Sequence, residues 1–317
     1  MKKFLINSII FIGSIFLMLL IAEGLITIKN LDMKNYNIEM WKYSKELKVK
    51  TVNEKLSFYH KPSSNAILQS VEINTNNYGL RGELISKEKI AKRRILFLGS
   101  SATLGWGVKE ENTMTFLLSK KFGKDVEVLN AGVGNYNTVR YVELFFTKLK
   151  ELEPTDIVVH FFLNDTENLK MQNTNWLLQN SQLAVLLWNS YNILINQNAG
   201  LLNYYKKIYD KNYIGYKNMI ESLDRLRIHA KEKNIRLYFT LLPDLHYLNN
   251  DKLNIFYKKV QEIAILKGFK FLNLQNAFDK SIKSEDLWVM PTDAHPNDLA
   301  HRLMAEQIYP FLKIDNR

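Results

Sequence analysis

Hydrophobic residues along the chain fall into short continuous runs that alternate with longer stretches of mixed polar and apolar residues. Continuous runs are typical of parallel strands buried on both faces, and the mixed stretches have the apolar spacing of helices. The pattern predicts strands over residues 95–98, 126–130, 157–162, 235–242 and 269–274. It predicts helices near 113–122, 138–150, 216–232 and 252–267, and a last one from about Pro296 to Leu312. Such alternation indicates an α/β fold built on a parallel sheet.

The first apolar run, from Phe4 to Ala22, contains no charged residue and is followed by Glu23. A helix that crosses a bilayer needs about 20 apolar residues. A cleavable signal peptide is the alternative, but it has a shorter apolar core and small residues before its cleavage site. Because Lys2 and Lys3 precede the run, we expect a cytoplasmic N-terminus. The pattern predicts an uncleaved anchor at 1–29, a juxtamembrane segment at 30–72 and a main domain at 73–317 on the extracytoplasmic side (periplasmic or extracellular).

A long interval, from Asp165 to about Gly215, separates the third predicted strand from the next clear helix. Within it, residues 183–195 are mostly apolar and have the character of a helix. We interpret this stretch as an extra core helix. An insertion that covers a binding site or packs near the membrane is the alternative.

Composition excludes several function classes. The 317 residues include no cysteine, which excludes disulfides, thiolate metal sites and a cysteine nucleophile. The net charge is +11, but the lysines are spread along the whole chain without a long basic run, so we expect no nucleic-acid partner. Metal-binding motifs are absent as well, and we expect neither a metal nor another cofactor.

Polar residues follow several of the predicted strands, at the sheet edge where open α/β folds bind their ligands. Ser101 lies in a Gly-Ser-Ser turn between the first strand and a helix, where its hydroxyl is exposed near backbone amides. A serine nucleophile needs a base, and the base needs an acceptor on its other ring nitrogen. His295, with Asp293 two residues earlier, satisfies both needs on one short loop.

Two further turns carry groups that could stabilise an oxyanion. The loop after the second strand contains Gly134 and Asn135, whose backbone N–H groups can converge on one point. Asn164 follows the third strand and offers a side-chain N–H. An ordinary strand-to-helix turn and an Asx turn are the alternatives at these two positions.

Three more side chains are candidates for contact with a substrate. Trp106 and Tyr136 lie beside these turns and could stack on a sugar ring, although packing in the core is the commoner role of such aromatics. His246 follows the fourth strand and so belongs to the same edge of the sheet.

The four blocks at 99–101, 132–135, 162–165 and 293–295 resemble, in their order and spacing, the motifs of the SGNH/GDSL hydrolase superfamily. The resemblance covers the chain from about residue 73 to its end. The chain departs from the family pattern at Ser100, where the family has Asp, and at Phe162, where it has Gly. In addition, Asp293 precedes the histidine by two residues instead of three.

The resemblance implies a flavodoxin-like three-layer α/β/α sandwich with five parallel strands in the order 2-1-3-4-5. It also implies that Ser101 is the nucleophile, His295 the base and Asp293 its orienting acid. The oxyanion hole would use the Ser101 amide, the amide of Asn135 or Gly134, and the Asn164 side chain. We therefore expect a membrane-anchored serine esterase that acts on a carbohydrate or lipid-type ester.

Two other functions are compatible with these residues. An O-acetyltransferase of cell-envelope or exported polysaccharide would use the same acyl-enzyme, with a sugar hydroxyl in place of water. A catalytically inactive glycan-binding protein would keep the fold without the reaction. The sequence predicts a small-molecule or glycan ester as the partner in the first two cases.

Overall fold

The structure is a computed structural model that describes residues 1–31, 35–171, 174–195, 200–248, 250–279 and 281–313. The chain divides into two compact units. Unit 1 comprises Met1–Glu46 and Asn173–Asn198, and unit 2 comprises Leu47–Gln172 and Ala199–Arg317. Residues 47–72, part of the predicted juxtamembrane segment, belong to unit 2, and residues 173–198, part of the predicted main domain, belong to unit 1.

The helices predicted from the apolar spacing are all present, together with shorter ones that the pattern did not reveal. The α-helices of the described residues are α1 (Lys2–Lys29), α2 (Tyr36–Glu46), α3 (Ser101–Leu104), α4 (Met114–Phe122), α5 (Thr138–Leu144), α6 (Trp176–Asn180), α7 (Gln182–Ile195), α8 (Leu201–Ile208), α9 (Ile214–Lys233), α10 (Asn254–Leu266) and α11 (Asp298–Lys313). The predicted helix over 138–150 is α5 followed by a π-helical turn, Phe145–Leu149.

The five predicted strands form the central sheet, and the remaining strands form short hairpins. The strands are β1 (Lys48–Lys50), β2 (Phe58–His60), β3 (Ser64–Leu68), β4 (Val71–Thr75), β5 (Arg93–Gly99), β6 (Val126–Gly132), β7 (Asp156–Phe162), β8 (Arg236–Leu242), β9 (Lys270–Asn273), β10 (Trp288–Met290) and β11 (Asp293–Pro296). The sheet is parallel with the order β6-β5-β7-β8-β9, which confirms the predicted order 2-1-3-4-5.

Both faces of the sheet are covered by helices, so unit 2 has three layers. Leu96 and Leu98 of β5 face a core that includes residues of α5, α9 and α10. Ile95 and Phe97, which alternate with them, face a second core with α4 and α11. Because residues 95–98 of β5 are buried on both faces of the sheet, they form a continuous apolar run in the sequence.

The strand register brings the ends of three strands together. Gly99 at the end of β5 pairs with Gly132 of β6 on one side and with His160 of β7 on the other. The segments that leave β5, β6 and β7 therefore start at the same edge of the sheet. Candidate residues 101, 134–135 and 164 lie in these segments.

Unit 1 contains the apolar N-terminal helix. By length and composition α1 is able to cross a membrane, a property that it shares with signal sequences. A small core of Ile38, Leu178 and Val185 joins α2, α6 and α7. The predicted helix over 183–195 is present as α7, but its interpretation as an extra core helix is wrong, because Val185 is its only buried residue and packs with α2 and α6 within unit 1.

Candidate active site

Ser101 is the first residue of α3, and one residue, Ser100, separates it from the buried strand β5. Two glycines let this helix lie against the ends of the strands. A Cβ atom on Gly99 would lie 2.0 Å from the Thr103 hydroxyl oxygen, and one on Gly132 would lie 2.1 Å from the Leu104 amide nitrogen. Since no side chain fits at either position, the two glycines determine where the Ser101 turn lies.

The backbone that follows Ser101 is held by a buried arginine. Arg81 donates hydrogen bonds of 2.7 Å to the carbonyl oxygens of Leu104, Gly105 and Val108. Gly105 adopts a left-handed conformation with φ of 79°, which ends α3 after one turn. Arg81 thereby fixes the end of α3 and the turn that follows it.

His295 and Asp293 lie on β11, in a short antiparallel hairpin with β10. The hairpin is followed by α11, which packs against α4 and the sheet. Asp293 is buried, whereas the His295 side chain is 18% exposed. The hairpin therefore presents the imidazole at the surface of unit 2 and keeps its carboxylate partner inside.

The structure brings Ser101, His295 and Asp293 into one hydrogen-bonded chain. The Nε2 atom of His295 lies 2.7 Å from the Ser101 Oγ atom, and its Nδ1 atom contacts the Asp293 Oδ1 atom. The His295 backbone N–H donates to the same carboxylate oxygen at 3.2 Å. Burial raises the pKa of Asp293, but the hydrogen bonds and charge of His295 outweigh it and hold that pKa below its ordinary value.

A fourth residue, Gln69, was not found by sequence reasoning. Its side-chain amide donates a hydrogen bond of 3.1 Å to the second oxygen of Asp293, Oδ2. Gln69 is fully buried in the tight turn between β3 and β4, where it has a φ of 52°. No local pattern in the sequence links Gln69 with Asp293, because the two residues are 224 positions apart.

Asn164 lies in the 3₁₀ turn Leu163–Thr166 that leaves β7. Asp165 fixes this turn, because its carboxylate accepts from the Phe162 N–H at 3.1 Å and its carbonyl oxygen accepts from the Thr138 hydroxyl at 3.0 Å. Burial raises the pKa of Asp165 well above its ordinary value. Within the described ranges of the chain, the buried Asn164 Oδ1 atom has no hydrogen-bond partner.

The loop after β6 carries the two candidate oxyanion donors, Gly134 and Asn135. Asn135 adopts a φ of 65°, a left-handed value that asparagine tolerates better than most residues. Its carbonyl oxygen accepts a hydrogen bond of 2.6 Å from Arg140, while Gly134 beside it is buried. The loop starts next to the Ser101 turn, because Gly132 and Gly99 pair in the sheet.

Two of the expected substrate contacts are corrected by the structure. Trp106 is fully buried, with its ring centroid 6.5 Å from that of His295, so it supports the imidazole from inside the protein. Tyr136 is 4% exposed, packs on Phe58 and donates its hydroxyl to the Phe58 carbonyl oxygen. Neither ring is available to stack on a sugar, because the faces of both rings are covered by neighbouring residues of the core.

His246 differs from these two aromatics. Its side chain is 56% exposed, and its ring centroid lies 5.1 Å from that of Trp288 on β10. The Trp288 indole in turn donates a hydrogen bond of 3.1 Å to the carbonyl oxygen of Leu245. His246 therefore lies beside the hairpin that carries His295, and contact with a substrate stays a prediction for it.

Other features of unit 2 lie apart from this cluster. A groove of about 520 Å³ is lined by residues between 76 and 130, and none of Ser101, Asp293 and His295 belongs to its lining. In the part of the chain that the structure describes, no group of three or more His, Asp or Glu side chains is arranged to hold a metal ion.

Solved structures with a similar chain trace include several hydrolases. The psychrotrophic esterase EstA from Pseudoalteromonas sp. is 17% identical, and the match covers 70% of this chain and 97% of that one with a TM-score of 0.45. The lipase/acylhydrolase from Enterococcus faecalis is 14% identical, with coverage of 70% and 95% and a TM-score of 0.43. Among curated proteins none matches the sequence.

The family comparison is more direct. The model of the GDSL-like lipase/acylhydrolase family matches residues 97–303, which is more than half of the chain. This range includes the Ser101 turn, the Asn164 turn and the His295 hairpin. The chain belongs to the GDSL-like lipase/acylhydrolase family, a family of ester-bond hydrolases.

Proposed function

We propose that Ser101, His295 and Asp293 form the catalytic triad of a serine-dependent ester hydrolase. The observation that carries the proposal is the continuous contact from the Ser101 Oγ atom through both ring nitrogens of His295 to Asp293. A serine hydroxyl is a weak nucleophile unless a base accepts its proton. The lowered pKa keeps Asp293 ionised at neutral pH, so it favours the tautomer of His295 in which Nε2 is the acceptor.

The reaction would proceed in two steps. His295 takes the Ser101 proton while Oγ attacks the ester carbonyl carbon, and the tetrahedral intermediate then expels the alcohol, which receives the proton from His295. In the second step His295 takes a proton from water, the resulting nucleophile attacks the acyl-enzyme, and Ser101 regains its proton as the acid leaves. Asp293 stabilises the imidazolium that forms in each step.

The oxyanion would be stabilised by donors from three neighbouring turns. Ser101 begins α3, so its backbone N–H has no partner within the helix. Asn135 or Gly134 would supply a second backbone N–H from the loop after β6. Asn164 would supply its side-chain amide, and a donor of this type contributes about 3–4 kcal/mol to transition-state stabilisation.

We further propose that α1 is an uncleaved membrane anchor with the catalytic unit on the extracytoplasmic side. The Glu23 carboxylate accepts hydrogen bonds from the Ser181 hydroxyl at 2.7 Å and from the Gln182 and Leu183 backbone N–H groups at 2.7 and 3.0 Å. Removal of α1 as a signal peptide would take this acceptor away from the Gln182 and Leu183 N–H groups at the start of α7. Lys2 and Lys3 before the apolar run support a cytoplasmic N-terminus.

The substrate that fits this placement is an O-acyl ester, such as an O-acetyl ester, of a carbohydrate or a lipid-type alcohol. An enzyme anchored outside the cytoplasm meets esters of envelope and exported molecules. The exposed His246, whose ring packs at a tilt against that of Trp288, is the side chain we propose to contact the alcohol portion.

The test is hydrolysis of p-nitrophenyl acetate by the purified full-length protein and by its Ser101→Ala form. We expect kcat to fall by at least about 10⁴-fold, because a triad nucleophile has no substitute. Ser100→Ala is the matched control, since the Ser100 side chain caps no helix and should be dispensable. Equal turnover by wild type and Ser101→Ala would contradict the proposal. Product analysis with added sugar acceptors separates hydrolysis from acyl transfer.

A further inference from the structure

We infer that α7 is a second membrane contact, and that it lies in the interfacial region of the lipid bilayer beside α1. The inference rests on the membrane anchoring proposed for α1 and is independent of the esterase reaction. It concerns only unit 1, to which both helices belong.

The exposed face of α7 has the composition of a protein interior. Residues 187, 188, 191, 194 and 195 have the spacing of a single helix face. All five are large and apolar or aromatic, and all are exposed: Leu187 60%, Trp188 48%, Tyr191 54%, Leu194 81% and Ile195 58%. The 14 residues of α7 include no charged side chain.

The opposite face of α7 is partly covered and more polar in its second half. Val185 packs with Ile38 and Leu178, and further along the helix Asn189 and Asn192 are half-buried. A helix on the surface of a water-soluble protein has the reverse arrangement, with polar residues outside. An exposed apolar face of this size indicates an apolar partner.

Contacts with α1 indicate that this partner is lipid. Glu23 follows the apolar run directly, which places it near the boundary between bilayer and water if α1 spans the membrane. Its carboxylate caps the first N–H groups of α7, and Asn30 donates a hydrogen bond of 2.7 Å to the Gln182 side chain. The N-terminus of α7 is thereby tied to the level at which α1 leaves the bilayer.

Length and side-chain type favour an interfacial helix over a second span. A 14-residue helix is about 21 Å long and is too short to cross the hydrocarbon core. Trp188 and Tyr191 stack with ring centroids 5.9 Å apart, and both residue types are enriched at membrane interfaces. The nearby α6 adds Trp176, which is 76% exposed, to the same unit.

The absence of cysteine from the sequence permits a direct test by single-cysteine labelling. The full chain is reconstituted into vesicles of phosphatidylethanolamine and phosphatidylglycerol, with a fluorescent bimane on Leu187→Cys or Leu194→Cys. Quenching is measured with nitroxide on the lipid acyl chains and with iodide in the water. Ile255→Cys on α10 is the matched control, because Ile255 is an apolar residue that is also 69% exposed.

We expect labels at positions 187 and 194 to be quenched by the lipid nitroxide several-fold more than the label at position 255, and by iodide several-fold less. Iodide quenching equal to that at position 255 would overturn the inference. Protection from both quenchers would also overturn it, in favour of a protein interface such as a second copy of the chain.

A label at Phe16→Cys in α1 keeps this inference distinct from the anchoring on which it rests. Phe16 lies in the middle of the apolar run and is 61% exposed. If the label at position 16 is not quenched by the lipid nitroxide, the anchoring itself fails. If it is quenched while those at 187 and 194 are not, only the interfacial placement of α7 is wrong.

Discussion

Replacement of Gln69 by Ala tests whether the proposed triad depends on the hydrogen bond that Gln69 donates to Asp293. In the structure the Gln69 side-chain amide donates a hydrogen bond of 3.1 Å to the Asp293 Oδ2 atom. The Asp293 Oδ1 atom keeps its contacts with His295 in the variant. The substitution therefore removes the hydrogen bond to the Oδ2 atom of Asp293 and leaves the charge of the carboxylate in place.

The expected magnitude follows from the strength of that bond. A hydrogen bond to a charged group contributes about 1.5–3 kcal/mol. Each 1.4 kcal/mol of transition-state stabilisation corresponds to about tenfold in rate. If the full contribution is felt in the transition state, kcat falls about 10- to 100-fold. KM should stay unchanged, because Gln69 orients Asp293 and does not bind the ester.

Steady-state hydrolysis of p-nitrophenyl acetate by the full-length protein measures both constants. Ser70→Ala is the matched control, because Gln69 and Ser70 both have left-handed conformations in the same turn, with φ of 52° and 60°. Both variants therefore introduce alanine into similar backbone strain, but only one loses the contact with Asp293. If Gln69→Ala and Ser70→Ala have the same kcat, the positioning role of Gln69 is refuted.

Three other outcomes are expected. Asp293→Asn should lower kcat by about 10⁴-fold in the same assay, because an amide favours the wrong tautomer of His295; a loss below tenfold would contradict its role as the triad acid. Burial lowers the pKa of His301 to about 3, so on acidification this imidazole is protonated in the unfolded chain at a higher pH than in the folded protein. The free energy of unfolding therefore falls as pH drops from about 6.5 toward 3. Between pH 7 and 5, urea unfolding should show a loss about 2 kcal/mol greater for wild type than for His301→Gln, and equal losses would refute this. Gly132→Ala should lower the melting temperature and abolish turnover, because its Cβ would lie 2.1 Å from the Leu104 amide nitrogen; an unchanged melting temperature would show that α3 can shift away.

The strands of the central sheet could be predicted from the sequence, because parallel strands buried on both faces are continuous apolar runs. Residues 95–98 of β5 are apolar and buried, so hydrophobicity alone predicts this part of the strand. The site candidates Ser101, Asn164 and His295 were accessible for a related reason. Ligand sites of open α/β sheets lie where strands end, and the order of the strands then determines which ends are neighbours.

The burial of individual side chains could not be predicted from the sequence. It depends on contacts with residues from distant parts of the chain. Trp106 and Tyr136 lie next to the candidate turns in sequence, yet packing turns both rings inward. The hydrogen bond from Gln69 to Asp293 joins residues 224 positions apart in the sequence, in two separate hairpins. Only the folded arrangement reveals such a pair.

The sequence by itself determined the α/β class, the apolar N-terminal helix and the residue types available for acyl chemistry, all of which depend on local patterns. The strand order was predicted from the resemblance of the four blocks to a known superfamily. The tertiary structure alone decided that residues 47–72 join the unit with the sheet, that 173–198 join the unit with α1, and that α7 exposes its more apolar face. A helical period tells which residues share a face, but only the packed neighbours determine which face is left for another partner.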